Sequence, residues 1–196
     1  TWLKEFMEEP TGDKLSLDPL NAIRFDFKGY QRDFIAEYPL LKQKLSLRGT
    51  VLSFDQGLGK TLTATGLAEC LGKRRVYIVC PNTLRDVWLQ ELRKYYAKYD
   101  DPLVAKREIY VHGSPGQEYA GKDCRFVIVN NEAITKVYDT VKDVPGSDSM
   151  LILDEGHNFR NFKGSRTAEL IALREKIGCD DVLPMSGTPI KATPNE

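Results

Sequence analysis

The sequence predicts an α/β fold: a parallel sheet flanked by helices on both faces, forming a single lobe. Three observations predict it. Short apolar runs of strand length, V-L-S-F, V-Y-I-V-C, F-V-I-V and M-L-I-L, alternate with stretches of helical spacing. Apart from Ser53, those runs are apolar throughout, as strands buried on both faces must be. Polar punctuation follows each of them, at 55–60, 81–83, 130–132 and 154–157, and follows the last strand-like run, 182–185, at 186–188. In open parallel sheets, ligands sit at the carboxyl ends of the strands.

In order, residues 1–9 suit a short amphipathic helix ended by Pro10, and 11–20 read as loop. Residues 22–27 alternate like a half-buried strand, and 30–38 have helical spacing that Pro39 should interrupt. A strand is expected over 51–54 and a helix over 62–71. Next come a strand at 76–80, a turn at Pro81-Asn82-Thr83, and a helix over 84–98 with Val87, Trp88, Leu92 and Tyr95 on one face. Strands follow at 109–111 and 125–129, separated by a surface loop at 113–116. A weaker helix at 131–141, a strand at 150–153, a helix at 165–177 and a strand at 182–185 complete the pattern.

The bulk numbers exclude several classes. With 196 residues the chain is one good-sized domain or two very small ones, long enough to bury roughly 70 % of its unfolded surface without disulfides or a structural metal. Its 28 basic and 28 acidic side chains cancel, so any nucleic-acid site must be a local patch. Cys70, Cys80, Cys124 and Cys179 show neither a disulfide framework nor zinc spacing, which suits an intracellular setting and inert thiols. No apolar run approaches the ~20 residues of a membrane span, and the first ten residues lack the order of a signal peptide.

Residues 50–61 read T-V-L-S-F-D-Q-G-L-G-K-T: a strand, a glycine-bearing loop, then Lys-Thr opening a helix. That is the layout of a phosphate-binding loop. Gly57 and Gly59 let backbone N–H groups point at phosphate oxygens, and the helix N-terminus adds partial positive charge. Lys60 would neutralise the phosphates and the Thr61 hydroxyl would bind Mg²⁺. The strict pattern asks for glycine where Phe54 stands, so these residues alone are also compatible with an ordinary strand-to-helix turn. Some ninety residues on, M-L-I-L-D-E-G-H delivers two adjacent carboxylates from an apolar strand. Asp154 could hold Mg²⁺ and Glu155 could polarise an attacking water, or the pair could simply cap a turn.

Together these motifs resemble the first RecA-like lobe of superfamily-two helicase-like ATPases, most closely the Swi/Snf group. F-K-G-Y-Q resembles the adenine-contacting segment, D-Q-G-L-G-K-T motif I, and V-C-P-N-T-L-R-D-V-W-L-Q-E-L-R-K motif Ia. F-V-I-V-N-N-E resembles the strand that usually ends in T-T-Y-E. D-E-G-H with N-F-R-N-F-K-G-S-R-T resembles motif II and its sequel, and S-G-T-P-I motif III. The wording is similar to annealing-helicase-like and to phage or bacterial branches.

The resemblance implies a nucleic-acid-dependent ATPase using ATP and Mg²⁺ on a nucleic acid, double-stranded DNA above all. It implies an N-terminal extension over 1–24 and the lobe over 25–196. Gln31 would read the adenine edge, and Gln56, Gly57, Leu58, Gly59, Lys60, Thr61 and Leu62 would line the phosphates. Thr61 and Asp154 would hold the metal, and Lys60, Asp154 and Glu155 would carry the chemistry. His157, Ser186 and Thr188 would couple nucleotide state to nucleic-acid grip, while Pro81, Asn82 and Thr83 would approach a phosphate backbone. Lys163 and Arg166 are further phosphate candidates. Transition-state charge in such motors is neutralised from a facing second lobe, so a lone first lobe is expected to turn over ATP hardly at all. The compartment would be cytoplasmic in a bacterium or phage-infected host, nuclear in a eukaryote.

The departures are Phe54, Gln56, Asn131 in place of a tyrosine, and Gly156, which should loosen its turn. His112 reads as a solvated loop residue, Lys73-Arg74-Arg75 as a solvated edge, and Trp88 as core. An RNA helicase, a restriction-type translocase or a non-catalytic interaction module remain alternatives.

Overall fold

The computed structural model describes residues 17–159, 161 and 163–187. Its strands are β1 (Arg75–Cys80), β2 (Ile109–Val111), β3 (Phe126–Asn130), β4 (Ser149–Leu153) and β5 (Val182–Pro184). They form one sheet in the order β2-β3-β1-β4-β5, with every neighbouring pair parallel. The register sets Ile78 between Ile128 and Ile152 at the centre. The helices are α1 (Gly29–Leu45), α2 (Lys60–Cys70), α3 (Arg85–Tyr95), α4 (Pro102–Glu108) and α5 (Ser165–Ile177).

Successive strand side chains point to opposite faces, so β1 feeds two cores. Val76, Ile78 and Cys80 pack with Ile35, Leu67, Trp88 and Leu92 on the face that α1, α2, α3 and α4 cover. Tyr77 and Val79 pack with Val137, Leu170 and Leu173 on the face covered by α5 and a 3-10 run over Ile134–Asp143. The expected α/β architecture, one parallel sheet between two helical layers, is the architecture found.

Individual elements differ from expectation. Residues 51–54 are not a full strand. Thr50 N–H bonds Val182 O at 3.1 Å and Leu52 N–H bonds Pro184 O at 2.9 Å, so the segment is bridged to β5 only at the sheet margin. Leu52 is buried there, while Val51 is 54 % exposed. Residues 22–27 contribute a single antiparallel bridge, Ile23 to Tyr96. Asp18–Ala22 is a 3-10 turn that begins in the stretch read as loop and runs into the one read as strand, and the helix read over residues 1–9 lies outside the described residues.

The helix expected to continue to 98 ends at Tyr95 and is followed by a 3-10 turn over Ala97–Asp100. Trp88, Leu92 and Tyr95 face inward, but Val87 is exposed. The weaker helix is the 3-10 run, and α4 was not legible as a helix, although Asp101 caps it by accepting Leu103 N–H at 2.8 Å. His112 is not merely a loop residue, since Tyr110 Oη lies 3.0 Å from its Nδ1 at the end of β2.

Two corrections concern buried charge. α1 runs through Pro39 because side chains hold it on both sides. Tyr38 Oη (3.1 Å) and Lys42 Nζ (2.7 Å) both donate to Asp181, which lies buried just before β5. A proline inside a helix costs about 3 kcal/mol, and this anchorage offsets it. Lys73 Nζ reaches the same carboxylate at 2.6 Å and also donates to Ser147 O at 2.7 Å, so Lys73 is buried rather than solvated. Arg75 is wholly enclosed too. Its guanidinium donates to Cys124 O (2.8 Å), Gly121 O (2.9 Å), Thr140 O (3.0 Å) and Tyr119 Oη (2.8 Å), which removes the usual penalty for burying an arginine.

Candidate functional site

The site lies along the edge formed by the carboxyl ends of the strands. The bridged segment at 49–52 leads into the loop, where Gly57 and Gly59 adopt φ of 80° and 77°. Such angles suit glycine and orient the loop's backbone dipoles. Gly59 is also the residue before α2, and a Cβ there would stand 2.5 Å from Gln31 Nε2. Lys60, Thr61 and Leu62 open α2, so their N–H groups have no carbonyl partner within the helix. Lys60 Nζ reaches across the loop to Phe54 O (2.9 Å) and Asp55 O (3.3 Å). The Phe54 ring packs edge-on against Tyr30 and Phe34, with centroids 5.3 and 6.1 Å away. It therefore belongs to an aromatic cluster with α1.

Gln31 is buried and fully engaged. Its Oε1 accepts Lys28 N–H at 2.8 Å, and its Nε2 donates to Leu58 O at 3.1 Å. Tyr30 Oη donates to the same carbonyl at 3.0 Å. The amide expected to meet adenine is turned here onto the loop. Gln56, Gly57 and Leu58 are exposed at its tip, and Lys60, Thr61 and Leu62 are half-buried.

Asp154 and Glu155 follow β4 on the same edge. Asp154 N–H bonds Val79 O at 2.8 Å, continuing the ladder with β1. The Asp154 carboxylate accepts Glu155 N–H on Oδ1 (3.0 Å) and the Trp88 indole N–H on Oδ2 (2.9 Å). Burial pushes this carboxyl above the ordinary aspartate range and the Glu155 charge adds to the rise, while the Trp88 hydrogen bond and the Lys60 charge oppose it. Lys60 and Asp154 thus sense each other across one edge. Glu155 has φ of +52°, a left-handed conformation uncommon for a residue with a side chain. Its Oε2 lies 3.1 Å from His157 Nδ1, which in turn lies 3.5 Å from Ser186 Oγ after β5.

The turn at Gly156 is not loose. Its N–H bonds Met185 O at 2.8 Å, and a Cβ at this position would lie 3.2 Å from Pro184 Cβ. Glycine at this position leaves room for β5. Gly187 comes close to the loop, since a Cβ there would lie 3.4 Å from Lys60 Nζ. Thr188 lies outside the described residues.

The nucleic-acid candidates flank this pocket. Asn82 and Thr83 are exposed and Pro81 half-buried at the exit of β1, with Asn130 Nδ2 donating to Asn82 Oδ1 at 3.4 Å. Lys163 is exposed in the turn before α5. Arg166 pairs with Glu132 at 3.3 Å, an exposed pair worth little energetically. Reading the residues alone placed Asn130 at a strand end but missed Arg85 and the true partner of Trp88. Arg85 Nε, Asn130 Oδ1 and Asn131 Oδ1 are buried without a hydrogen-bond partner among the described residues, all near the exits of β1 and β3. The one available signal was the place of Asn130 and Asn131 at the end of an apolar run.

The donor set fits a magnesium–nucleotide. Magnesium is usually held by one or two carboxylates and by the phosphates themselves. Asp154, a buried carboxylate that feels the Lys60 charge at the start of α2, suits that mode. Among the described residues, no helix is long and apolar enough to cross a membrane.

A family model described as the SNF2-related domain matches residues 15–196. The chain belongs to the SNF2-related domain family. Within it, the chain is 28 % identical over 214 residues to the SNF2 domain-containing protein ENL1 of Oryza sativa subsp. japonica, covering 96 % of this chain and 20 % of that protein. It is 33 % identical over 185 residues to the TATA-binding protein-associated factor BTAF1 of Arabidopsis thaliana, covering 86 % of this chain and 8 % of that one. This SNF2-related chain therefore spans a fifth or less of those relatives. The helicase domain of Pyrococcus furiosus Hef shares its fold, with a TM-score of 0.58, 17 % identity, and coverage of 84 % of this chain and 33 % of that one. The similar curated proteins are mostly eukaryotic, so the leaning toward phage or bacterial branches gains no support.

Proposed function

We propose that this SNF2-related chain is the ATP-binding lobe of a nucleic-acid-dependent ATPase that works with Mg²⁺ on double-stranded DNA. One observation carries the reading: Lys60, Asp154 and Glu155 share one edge of the sheet beside the glycine-shaped loop. Gly57, Gly59 and the first N–H groups of α2 cradle phosphate oxygens, with Lys60 adding a full charge. Thr61 and Asp154 hold the magnesium ion, which when bound neutralises phosphate charge. Glu155 accepts a proton from the attacking water at a carboxylate oxygen, and His157 orients that carboxylate. Ser186 and Thr188 report the state of this pocket, and Gln31 serves adenine selection. Pro81, Asn82, Thr83, Lys163 and Arg166 meet the phosphate backbone without reading sequence.

Turnover requires charge neutralisation from a facing RecA-like lobe, an effect worth about 10³ to 10⁵ in rate. The 196-residue chain alone should therefore bind Mg²⁺-ATP weakly and hydrolyse it hardly at all. The setting is intracellular, where ATP is available.

Calorimetric titration with ATP and Mg²⁺ tests the pocket. Lack of binding by the wild-type chain, or binding unchanged in Lys60→Ala, overturns the reading in favour of a non-catalytic module. In a two-lobed parent, duplex DNA should stimulate ATPase more than single-stranded DNA or RNA. Preference for RNA would shift the assignment to an RNA helicase.

A further inference from the structure

Trp88 is buried on the inner face of α3, and its indole N–H is given to Asp154 Oδ2 at 2.9 Å. A buried indole N–H needs an acceptor, and a backbone carbonyl would serve. Here the acceptor is instead a buried carboxylate at the end of β4.

The geometry around that carboxylate is specific. Asp154 N–H is fixed to Val79 O of β1, which sets the position of its Cα. Glu155 N–H occupies Oδ1 and Trp88 occupies Oδ2. With one donor on each oxygen, the carboxylate plane is fixed, and the remaining lone pairs are left for a ligand. Replacing an outer group that orients a metal ligand in this way typically costs about 10- to 100-fold in metal affinity or activity. The sequence fits this reading: the core of α3 could be filled by phenylalanine, and only an indole supplies the donor.

We infer that Trp88 is the positioning residue for the Asp154 carboxylate, acting on metal affinity rather than on packing alone. This rests on the reading of Asp154 as a magnesium ligand. Trp88 acts through its hydrogen bond to Asp154 and not as a ligand itself.

The test is the affinity of the 196-residue chain for a fluorescent ADP, measured against magnesium concentration. It compares wild type, Trp88→Phe, Asp154→Asn and the double variant, with urea unfolding as a fold check. Trp88→Phe should keep metal-free nucleotide affinity within about twofold yet need about 10- to 100-fold more magnesium for the same enhancement. In the Asp154→Asn background it should add nothing further. An unchanged magnesium requirement in Trp88→Phe overturns the inference, as does an equal loss in both backgrounds, which would mark a packing effect. A wild-type chain whose nucleotide affinity ignores magnesium overturns both this inference and the reading beneath it. Should Trp88→Phe not fold, Trp2→Phe leaves Trp88 as the sole indole. Its emission should shift when magnesium is added to the ADP-loaded chain, and constant emission overturns the inference.

Discussion

Replacing Asp181 with asparagine should be among the most damaging single changes outside the pocket. Asp181 is 2 % exposed and receives Tyr38, Lys42 and Lys73 together. Asparagine keeps the shape and removes the charge. Lys73, itself 8 % exposed, would then keep only the Ser147 carbonyl. Breaking a buried pair so that one charge is stranded costs about 3–5 kcal/mol. For a domain of this size that lowers Tm by roughly 6–20 °C. Lys73→Met is the control, since Asp181 would keep Lys42 and Tyr38, and the loss should be nearer 1.5–3 kcal/mol, about one charge-assisted hydrogen bond.

The pH dependence carries a sign. Burial, the largest single influence, pushes the Asp181 carboxyl up, but Lys42 and Lys73 together hold it below its ordinary value of 3.8. A carboxyl lowered in the folded state adds stability that is complete above its ordinary value and disappears as pH falls through the lowered one. The wild type should therefore lose stability more steeply than Asp181→Asn below pH 3.8. Urea unfolding at several pH values measures both effects. A loss below about 1 kcal/mol at neutral pH, the level of a surface pair, would refute the reasoning.

Three further outcomes follow from local geometry. Gly66→Ala places a Cβ 2.7 Å from the Phe27 ring and 2.9 Å from Ile35 Cδ1, so chemical denaturation should show a loss of about 1–3 kcal/mol despite alanine's better helix propensity. Gly59→Ala combines a φ of 77° with a Cβ 2.5 Å from Gln31 Nε2, and should abolish nucleotide binding in a fluorescence titration while the chain still folds. Glu155→Gly relieves a left-handed residue, so Tm should hold or rise with a gain of up to about 1 kcal/mol, while any ATPase activity of a two-lobed parent disappears.

Most of the sheet was legible because its strands are buried on both faces and so read as unbroken apolar runs. The glycine-bearing loop at 55–60 and the acidic couple at 154–155 were legible as local patterns, a loop opening a helix and an apolar strand ending in two carboxylates; the chemistry assigned to them belongs to the proposed reading. What stayed hidden depends on three-dimensional neighbours. Lys73 and Arg75 read as solvated because nothing local shows that Asp181 and the Cys124 and Thr140 carbonyls wait beneath the sheet. Pro39 read as a helix breaker because its compensation comes from a residue 142 positions further on, Asp181, through Tyr38 and Lys42. Gly156 read as a loosened turn because Pro184, which fills the space, belongs to another strand. Trp88 was rightly placed in the core, but its donor could be assigned only once α3 lay against the sheet with the end of β4 within reach.

The loop at 55–59 is hung unequally. One end passes into α2, whose inner face is closed off by Ala64, Leu67 and Ala68; the other rests on two bridges at the margin, next to a solvent-facing Val51. A strap fastened like this gives way at its weaker attachment. On the proposed reading, a nucleotide entering the loop should draw the Lys60 ammonium off the Phe54 and Asp55 carbonyls, and the bridged margin rather than α2 is the attachment expected to yield.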